Sequence, residues 1–296
     1  MSLLNTLRFI ASHPLTRTHR FRAFFRLLSW QIGSRLRPGP VTFYWIKGAR
    51  FLVRRGETGL TGNIYVGLHE FEEMAFLLHF LRPGEHFVDV GANVGSFTIL
   101  AGAVCGARVI AFEPIASTFG RLILNVKINE LERTVRCSQN PVGSKAGRLR
   151  FTSDQDTTNH VLSAEEASEP SADVEVVTLD DSLAGDHPVL LKIDVEGFET
   201  EVLRGAKGVL ANPSLRAIIL ELNGSGNRYG YDEALIPAEL KRLSFEPVQY
   251  RPLKRLLLAS DSQISQAQNM LFVRDLDFVR ERLRSAPPIE VLGVRF

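Results

Sequence analysis

The chain predicts an α/β fold: a doubly wound, mostly parallel sheet with an antiparallel edge and a helical N-terminal extension. Three observations carry this. Short apolar runs alternate with amphipathic stretches from His86 to Leu222, the pattern of helices wrapped on a parallel sheet. The first run, Phe87-Val-Asp-Val-Gly-Ala-Asn-Val-Gly-Ser96, ends in an acid, turns on two glycines and enters a helix-like segment. The second, Arg108–Phe112, is followed by Glu113, 22 residues beyond Gly91, where a strand-end carboxylate usually meets ribose hydroxyls.

Taken in order, Phe21, Phe24, Phe25, Leu28, Ile32 and Leu36 recur at helical spacing with Arg22, Arg26 and Arg35 on other faces, and Arg37-Pro-Gly-Pro40 closes that basic helix. Phe71, Met74, Ala75, Leu78 and Leu81 mark a second helix, leading to a turn at Arg82-Pro-Gly84. Strand 86–90 then leads to helix 96–105, strand 108–112 to helix 117–129, and strand 134–140 follows. Residues 143–188 interrupt the alternation with β-like runs at 148–152 and 174–178 around a polar loop. Strand 189–193, helix 197–204 and strand 215–222 resume it, and 246–250 with 270–273 predict the antiparallel edge. Three regions result: a basic extension over 1–56, a main domain over 57–280 with its insertion at 143–188, and a tail over 281–296.

Net charge is only +2, but eleven of the 35 Lys and Arg residues, and none of the 33 Asp and Glu, precede Glu57. That asymmetry predicts a surface for phosphate-bearing partners. The basic helix fits peripheral contact with an anionic membrane or packing on the main domain with solvated arginines. Nucleic acid is disfavoured, because no recognisable nucleic-acid module accompanies the charge. No apolar run is long enough to span a bilayer, and Met1–Leu15 lacks the pattern of an export signal. The expectation is a cytoplasmic protein in which Cys105 and Cys137 are reduced core thiols.

The glycine turn departs from the dinucleotide pattern. Counted from Gly91, Asn93 and Ser96 stand where a pyrophosphate site needs its second and third glycines. The pattern is Asp89-x-Gly91-x-Asn93-x-Gly95, with an acid that would repel a pyrophosphate. Ligands of such sheets lie beyond the carboxyl ends of the strands, and four of the five strand-end groups carry a carboxylate: Asp89, Glu113, Asp194 with Glu196, and Glu221. The fifth holds Asn140. Strand ends rimmed by anions favour a cationic nucleoside, and S-adenosylmethionine carries a sulfonium and an ammonium.

Val88-Asp-Val-Gly-Ala-Asn-Val-Gly-Ser-Phe97, Ala111-Phe-Glu-Pro114, Asn125-Val-Lys-Ile-Asn129, Val177-Thr-Leu-Asp-Asp181, and above all Leu191-Lys-Ile-Asp-Val-Glu-Gly-Phe-Glu199 with Val202-Leu-Arg-Gly-Ala206 resemble the FkbM-type methyltransferases. The likeness spans roughly 59–273 and includes the entry segment Gly62–Glu70. It implies a seven-stranded, Rossmann-like sheet and an S-adenosylmethionine-dependent O-methyltransferase whose acceptor is a hydroxyl of a small molecule, sugar or glycan. By position, Asp89, Gly91, Asn93 and Gly95 would surround the methionine end, Glu113 the ribose, and Asn140 the adenine, with Asp194 and Glu196 facing the methyl group. Members differ most across 143–188.

A hydroxyl acceptor needs a base, and the candidates are Asp194, Glu196 and His160, the last in the polar loop. If the strand extends through Val195, Asp194 and Glu196 share a face; both could instead cap the following helix. No His-rich spacing supports a metal. Two alternatives remain: an NAD-dependent oxidoreductase or epimerase, opposed by Asn93, and a non-catalytic methyltransferase-fold module at a membrane surface, opposed by the intact turn and Glu113.

Overall fold

The computed structural model describes residues 3–36, 39–152, 171–260 and 268–296. The central sheet takes β3 (His86–Val90), β4 (Arg108–Phe112), β5 (Val135–Ser138), β8 (Pro188–Ile193) and β9 (Ala217–Leu222) in parallel. β12 (Gln268–Val273), β10 (Glu246–Arg251) and β11 (Leu256–Ala259) add antiparallel. The order is β11-β10-β12-β9-β8-β3-β4-β5. The eighth strand, β11, was not legible: it follows a tight turn at Pro252–Lys254 in which Arg255 takes φ +52°. Strand order reverses between β3 and β8, so the crevice beyond their carboxyl ends is where this topology places a ligand.

Period-2 alternation divides the apolar residues between two cores. Phe87, Val109, Ala111, Leu190 and Ile219 face one layer, containing α4 (Phe71–Phe80), α5 (Ser96–Ile99), α6 (Ala116–Ile128) and α11 (Leu276–Arg284). Val88, Ile110, Leu191, Ile193 and Leu220 face the other, containing α7 (Leu179–Ser182), α8 (Glu199–Arg204), α9 (Lys207–Ala211) and α10 (Ile236–Arg242). The predicted helix from Ser96 is continuous in space but loosens into a wider π turn over Leu100–Val104.

The N-terminal segment packs on the main domain. α1 (Leu3–Ser12) and α2 (Arg20–Leu36) contribute Ile10, Ala23 and Leu27 to the first core. The Arg26 guanidinium donates to the Tyr65 carbonyl at 3.1 and 2.8 Å, fastening α2 to α3 (Thr58–Val66). The hairpin β1 (Val41–Tyr44) and β2 (Arg50–Val53) is clamped to α6: Leu52 N–H donates to Asn125 Oδ1 at 2.9 Å and Arg50 N–H to Asn129 Oδ1 at 2.8 Å. That gives the Asn125–Asn129 run its physical purpose.

The insertion forms an antiparallel hairpin, β6 (Gly147–Thr152) with β7 (Ser171–Val176), close to the two expected runs. The C-terminal residues close a small hairpin, β13 (Glu290–Val291) with β14 (Val294–Arg295), and bury Phe296 against Phe71 and His79. Cys105 and Cys137 are free and half-buried, and burial pushes their thiols up to about 12 and about 11.

Candidate active site

The glycine turn closes on the neighbouring strand. Gly91 sits at φ +79°, and a Cβ there would stand 1.8 Å from the Asp194 carbonyl oxygen, so only glycine lets the ends of β3 and β8 meet. The N–H groups of Gly91 and Ala92 both donate to the Phe112 carbonyl at 2.9 Å, and Asp194 N–H donates to the Val90 carbonyl at 3.0 Å. Asn93 has φ +52°, a left-handed conformation that asparagine tolerates better than most side chains. Its Oδ1 accepts from the Val94 N–H at 2.7 Å, which makes it a turn-former as well as part of the cavity wall. Gly95, at φ +97°, opens α5.

Two predicted carboxylates lie at this turn. Asp89 is 1% exposed; its Oδ2 accepts from the Thr98 hydroxyl at 2.6 Å, while Oδ1 is buried without a hydrogen-bond partner. Burial raises its pKa. An orphaned acceptor on a cavity wall suits a ligand bearing positive charge or an N–H group. Glu113 is buried and accepts from the N–H groups of Asn93 at 2.9 Å and Ile115 at 3.0 Å. Burial still raises it to about 7.

The end of β8 carries the chemistry. Lys192 is 2% exposed, and its Nζ reaches Asp194 Oδ2 at 2.7 Å and lies 4.9 Å from the centre of the Phe97 ring. Burial alone would lower the Lys192 ammonium, but the carboxylates of Asp194, Asp89 and Glu70 together raise it. Burial alone would raise Asp194; Lys192 and a hydrogen bond with Glu221 outweigh this and hold it low. Glu221 is raised instead, by burial and by the Asp194 charge. Asp194, Glu196 and Glu221 each offer a carboxylate oxygen within 4.8 Å of the others, a spacing that a cation can bridge.

Neither of the two backbone arrangements expected for this segment is found. Glu196 has φ +54°, so the strand does not extend through it, and neither carboxylate caps α8, whose N-cap is Phe198 with no side-chain bond. The turn is held by Glu199, a buried carboxyl whose Oε1 accepts from Val195 N–H at 3.0 Å and Gly197 N–H at 3.2 Å, and which burial raises to about 7. Gly197, at φ +103°, lets the turn touch the next loop: a Cβ would meet the Ser225 carbonyl carbon at 2.5 Å. So Asp194 and Glu196 converge, but through a tight turn.

A cavity of about 310 Å³ is walled by Asp89, Gly91, Asn93, Phe97, Lys192 and Asp194, with Glu70 and Arg121 at other points of its lining, while Gly95, Glu113, Glu196 and Glu221 lie outside that lining. It is less uniformly anionic than the strand ends suggest, because Lys192, two residues before Asp194 on the same face of β8, is buried inside it. Arg121 is paired with Glu57 at its edge. Glu70, half-buried and held by the Asn269 amide at 2.7 Å, is raised to about 7 by burial, with the Asp194 and Asp89 charges adding to the rise. Asn140 is not in this wall: its amide donates to the Glu175 carbonyl at 2.9 Å and its Oδ1 accepts from Ser138 Oγ at 3.0 Å, so its position lends an adenine contact no support. His160 lies outside the described residues.

Comparison with known proteins gives the family of the chain. The model of the methyltransferase FkbM domain matches residues 89–254, more than half of the chain. The hexuronic acid methyltransferase AglP of Haloferax volcanii is 27% identical over 205 residues, covering 68% of this chain and 78% of that protein. The methyltransferase sdnD of Sordaria araneosa is 30% identical over 159 residues, covering 42% and 61% respectively. Among solved structures the likeness is distant: the METTL16 methyltransferase domain has a TM-score of 0.42 at 15% identity, covering 71% of this chain and 68% of that one. The matched segment runs from Asp89 through the glycine turn and the Asp194–Glu199 block to the sheet edge, and the chain belongs to the methyltransferase FkbM domain family, whose cofactor is S-adenosylmethionine.

Proposed function

We propose that this chain is an O-methyltransferase acting on a hydroxyl of a sugar, glycan or related natural-product acceptor. The carboxyl group cluster at the ends of β8 and β9 carries the reading: oxygens of Asp194, Glu196 and Glu221 lie within 4.8 Å of one another, and Asp194 is held at 2.7 Å by the buried Lys192 ammonium on the cavity wall. A relative named as a hexuronic acid methyltransferase, aligned over 68% of this chain, supports a sugar acceptor.

When bound, S-adenosylmethionine supplies an electrophilic methyl carbon and departs as a neutral thioether. Asp89, Gly91, Asn93, Gly95 and Glu113 would hold it: the glycines permit close backbone approach, Asp89 offers its open oxygen, and Glu113, which braces the turn, would reach the ribose hydroxyls. Positioning donor and acceptor in line supplies most of the acceleration, up to ~7–11 kcal/mol in well-oriented systems. Asp194 accepts the acceptor hydroxyl's hydrogen bond and takes its proton as the oxygen attacks, a general-base contribution of ~10²–10⁴-fold. Lys192 fixes the Asp194 carboxylate in that pose, and Glu196 borders the acceptor side. The oxidoreductase and non-catalytic alternatives have no such observation behind them.

The test is turnover to S-adenosylhomocysteine with a panel of free and glycosidic hexuronic acids, hexoses and amines. Methylation at oxygen that is lost in Asp194→Asn, with cofactor affinity spared, is the expected result. Transfer to nitrogen alone, or undiminished turnover in Asp194→Asn, contradicts the proposal.

A further inference from the structure

α2 presents two apolar faces. One carries Ala23 and Leu27 into the core and fastens the helix to α3 through Arg26 and Gln31, which reach the Tyr65 carbonyl and hydroxyl. The opposite side carries Phe21, Phe25, Leu28, Ile32 and Leu36, spaced four, three, four and four residues apart and therefore stacked in one stripe. These five are 91%, 70%, 56%, 51% and 76% exposed. A helix that merely covers its own domain turns its polar side outward. Here the large side chains face solvent, in a 56-residue segment that also exposes Arg17, Arg20, Arg22 and Arg35 and has no acidic side chain.

We propose that this face seats the protein on an anionic lipid bilayer, with α2 lying in the plane of the interface. The helix spans about 25 Å, its aromatic and aliphatic stripe enters the acyl boundary, and the flanking guanidiniums meet headgroup phosphates. A nucleic acid would use the arginines but leave the stripe in water. A second copy meeting the same face would set arginine against arginine, since a two-fold contact is self-complementary. Only a surface both apolar and anionic satisfies the whole patch. α3 lies between this seat and the cofactor cavity: Tyr65 takes the bonds from α2, while Leu60, one turn earlier, lines the cavity. The bilayer therefore lies one helix away from the cleft, and this seat is independent of the acceptor proposed above.

Sedimentation of the full chain with vesicles tests it. The parent, phosphatidylcholine vesicles, and vesicles containing about one-third phosphatidylglycerol are compared with a Phe21→Ser, Phe25→Ser, Ile32→Ser variant and with Arg20→Gln, Arg22→Gln. Thermal stabilisation by S-adenosylhomocysteine confirms that each variant is folded. The parent should pellet with anionic vesicles and not with neutral ones, and the triple variant should partition at least about tenfold more weakly. Loss of the two arginines, or added salt, should also weaken partition. Equal pelleting of parent and triple variant, indifference to lipid charge, no pelleting, or a parent dimer that the triple variant converts to monomer would each overturn the proposal.

Discussion

Replace Gly91 with alanine and the added methyl carbon meets the Asp194 carbonyl oxygen at 1.8 Å and its carbon at 2.8 Å. Both are backbone atoms tied down by the Asp194 N–H bond to Val90, so relief must come from parting β3 and β8 at the mouth of the cofactor cavity. Gly84 is a matched control. Its φ of +80° equals that of Gly91 within a degree, yet nothing lies within 4 Å of a Cβ there. Gly84→Ala should cost only the left-handed backbone term, about 1–2 kcal/mol. Gly91→Ala should add the overpacking term of about 1–3 kcal/mol, for a total of about 2–5 kcal/mol. Urea unfolding of both variants reads the difference, and calorimetry with S-adenosylhomocysteine reads the site: Gly84→Ala should bind as the parent does, and Gly91→Ala should bind at least about tenfold more weakly. If Gly91→Ala is no more destabilising than Gly84→Ala, the closure of the turn on Asp194 is not the constraint described.

Three further outcomes follow from the same geometry. Glu113→Ala should weaken cofactor binding by ~1.5–3 kcal/mol, and an unchanged calorimetric affinity would remove Glu113 from the site. Glu199→Ala strands the buried N–H of Gly197 and the half-buried N–H of Val195 and should lower the unfolding free energy by about 1–3 kcal/mol, with turnover falling more than cofactor affinity; unaltered stability would show that the turn does not depend on it. Glu70, Glu113 and Glu199 are raised to about 7 and Glu73 to about 8, all above the unfolded value, so the stability they contribute is full at acid pH and lost as pH rises through 7 and 8. The buried imidazoles of His13, His69 and His79 are lowered and give the opposite slope below about pH 6.5, so the unfolding free energy of the ligand-free chain should fall from about pH 6.5 to about pH 8.5, and a flat or rising profile over that window would contradict the burial of these carboxyls.

Much of this architecture is legible in the sequence because it rests on local periodicity. The glycine turn, its acid, Glu113 and the alternating strands lie where the pattern puts them. What escapes is whatever depends on pairing between distant segments. Register opposes Ile193 to Leu220 and thus brings Asp194 beside Glu221, which no local pattern announces. Lys192 had a signal, since period 2 places it on the same face as Asp194, but it lies inside strand 189–193, whereas ligand groups were sought at the strand ends. Glu199 reads as an ordinary first-turn acid; only the left-handed Glu196 and Gly197 explain why the turn needs its carboxyl. In α2 the spacing showed apolar residues recurring on a helix, but which side meets the domain is decided by α3 and Tyr65.

Calorimetric titration of the purified chain with S-adenosylmethionine, S-adenosylhomocysteine and NAD decides which cofactor the glycine turn holds. Saturable one-site binding of both sulfur ligands, weakened by Glu113→Ala and Gly91→Ala, and none of NAD, is expected. Binding of NAD alone, or sulfur-ligand affinities indifferent to both substitutions, would contradict that assignment.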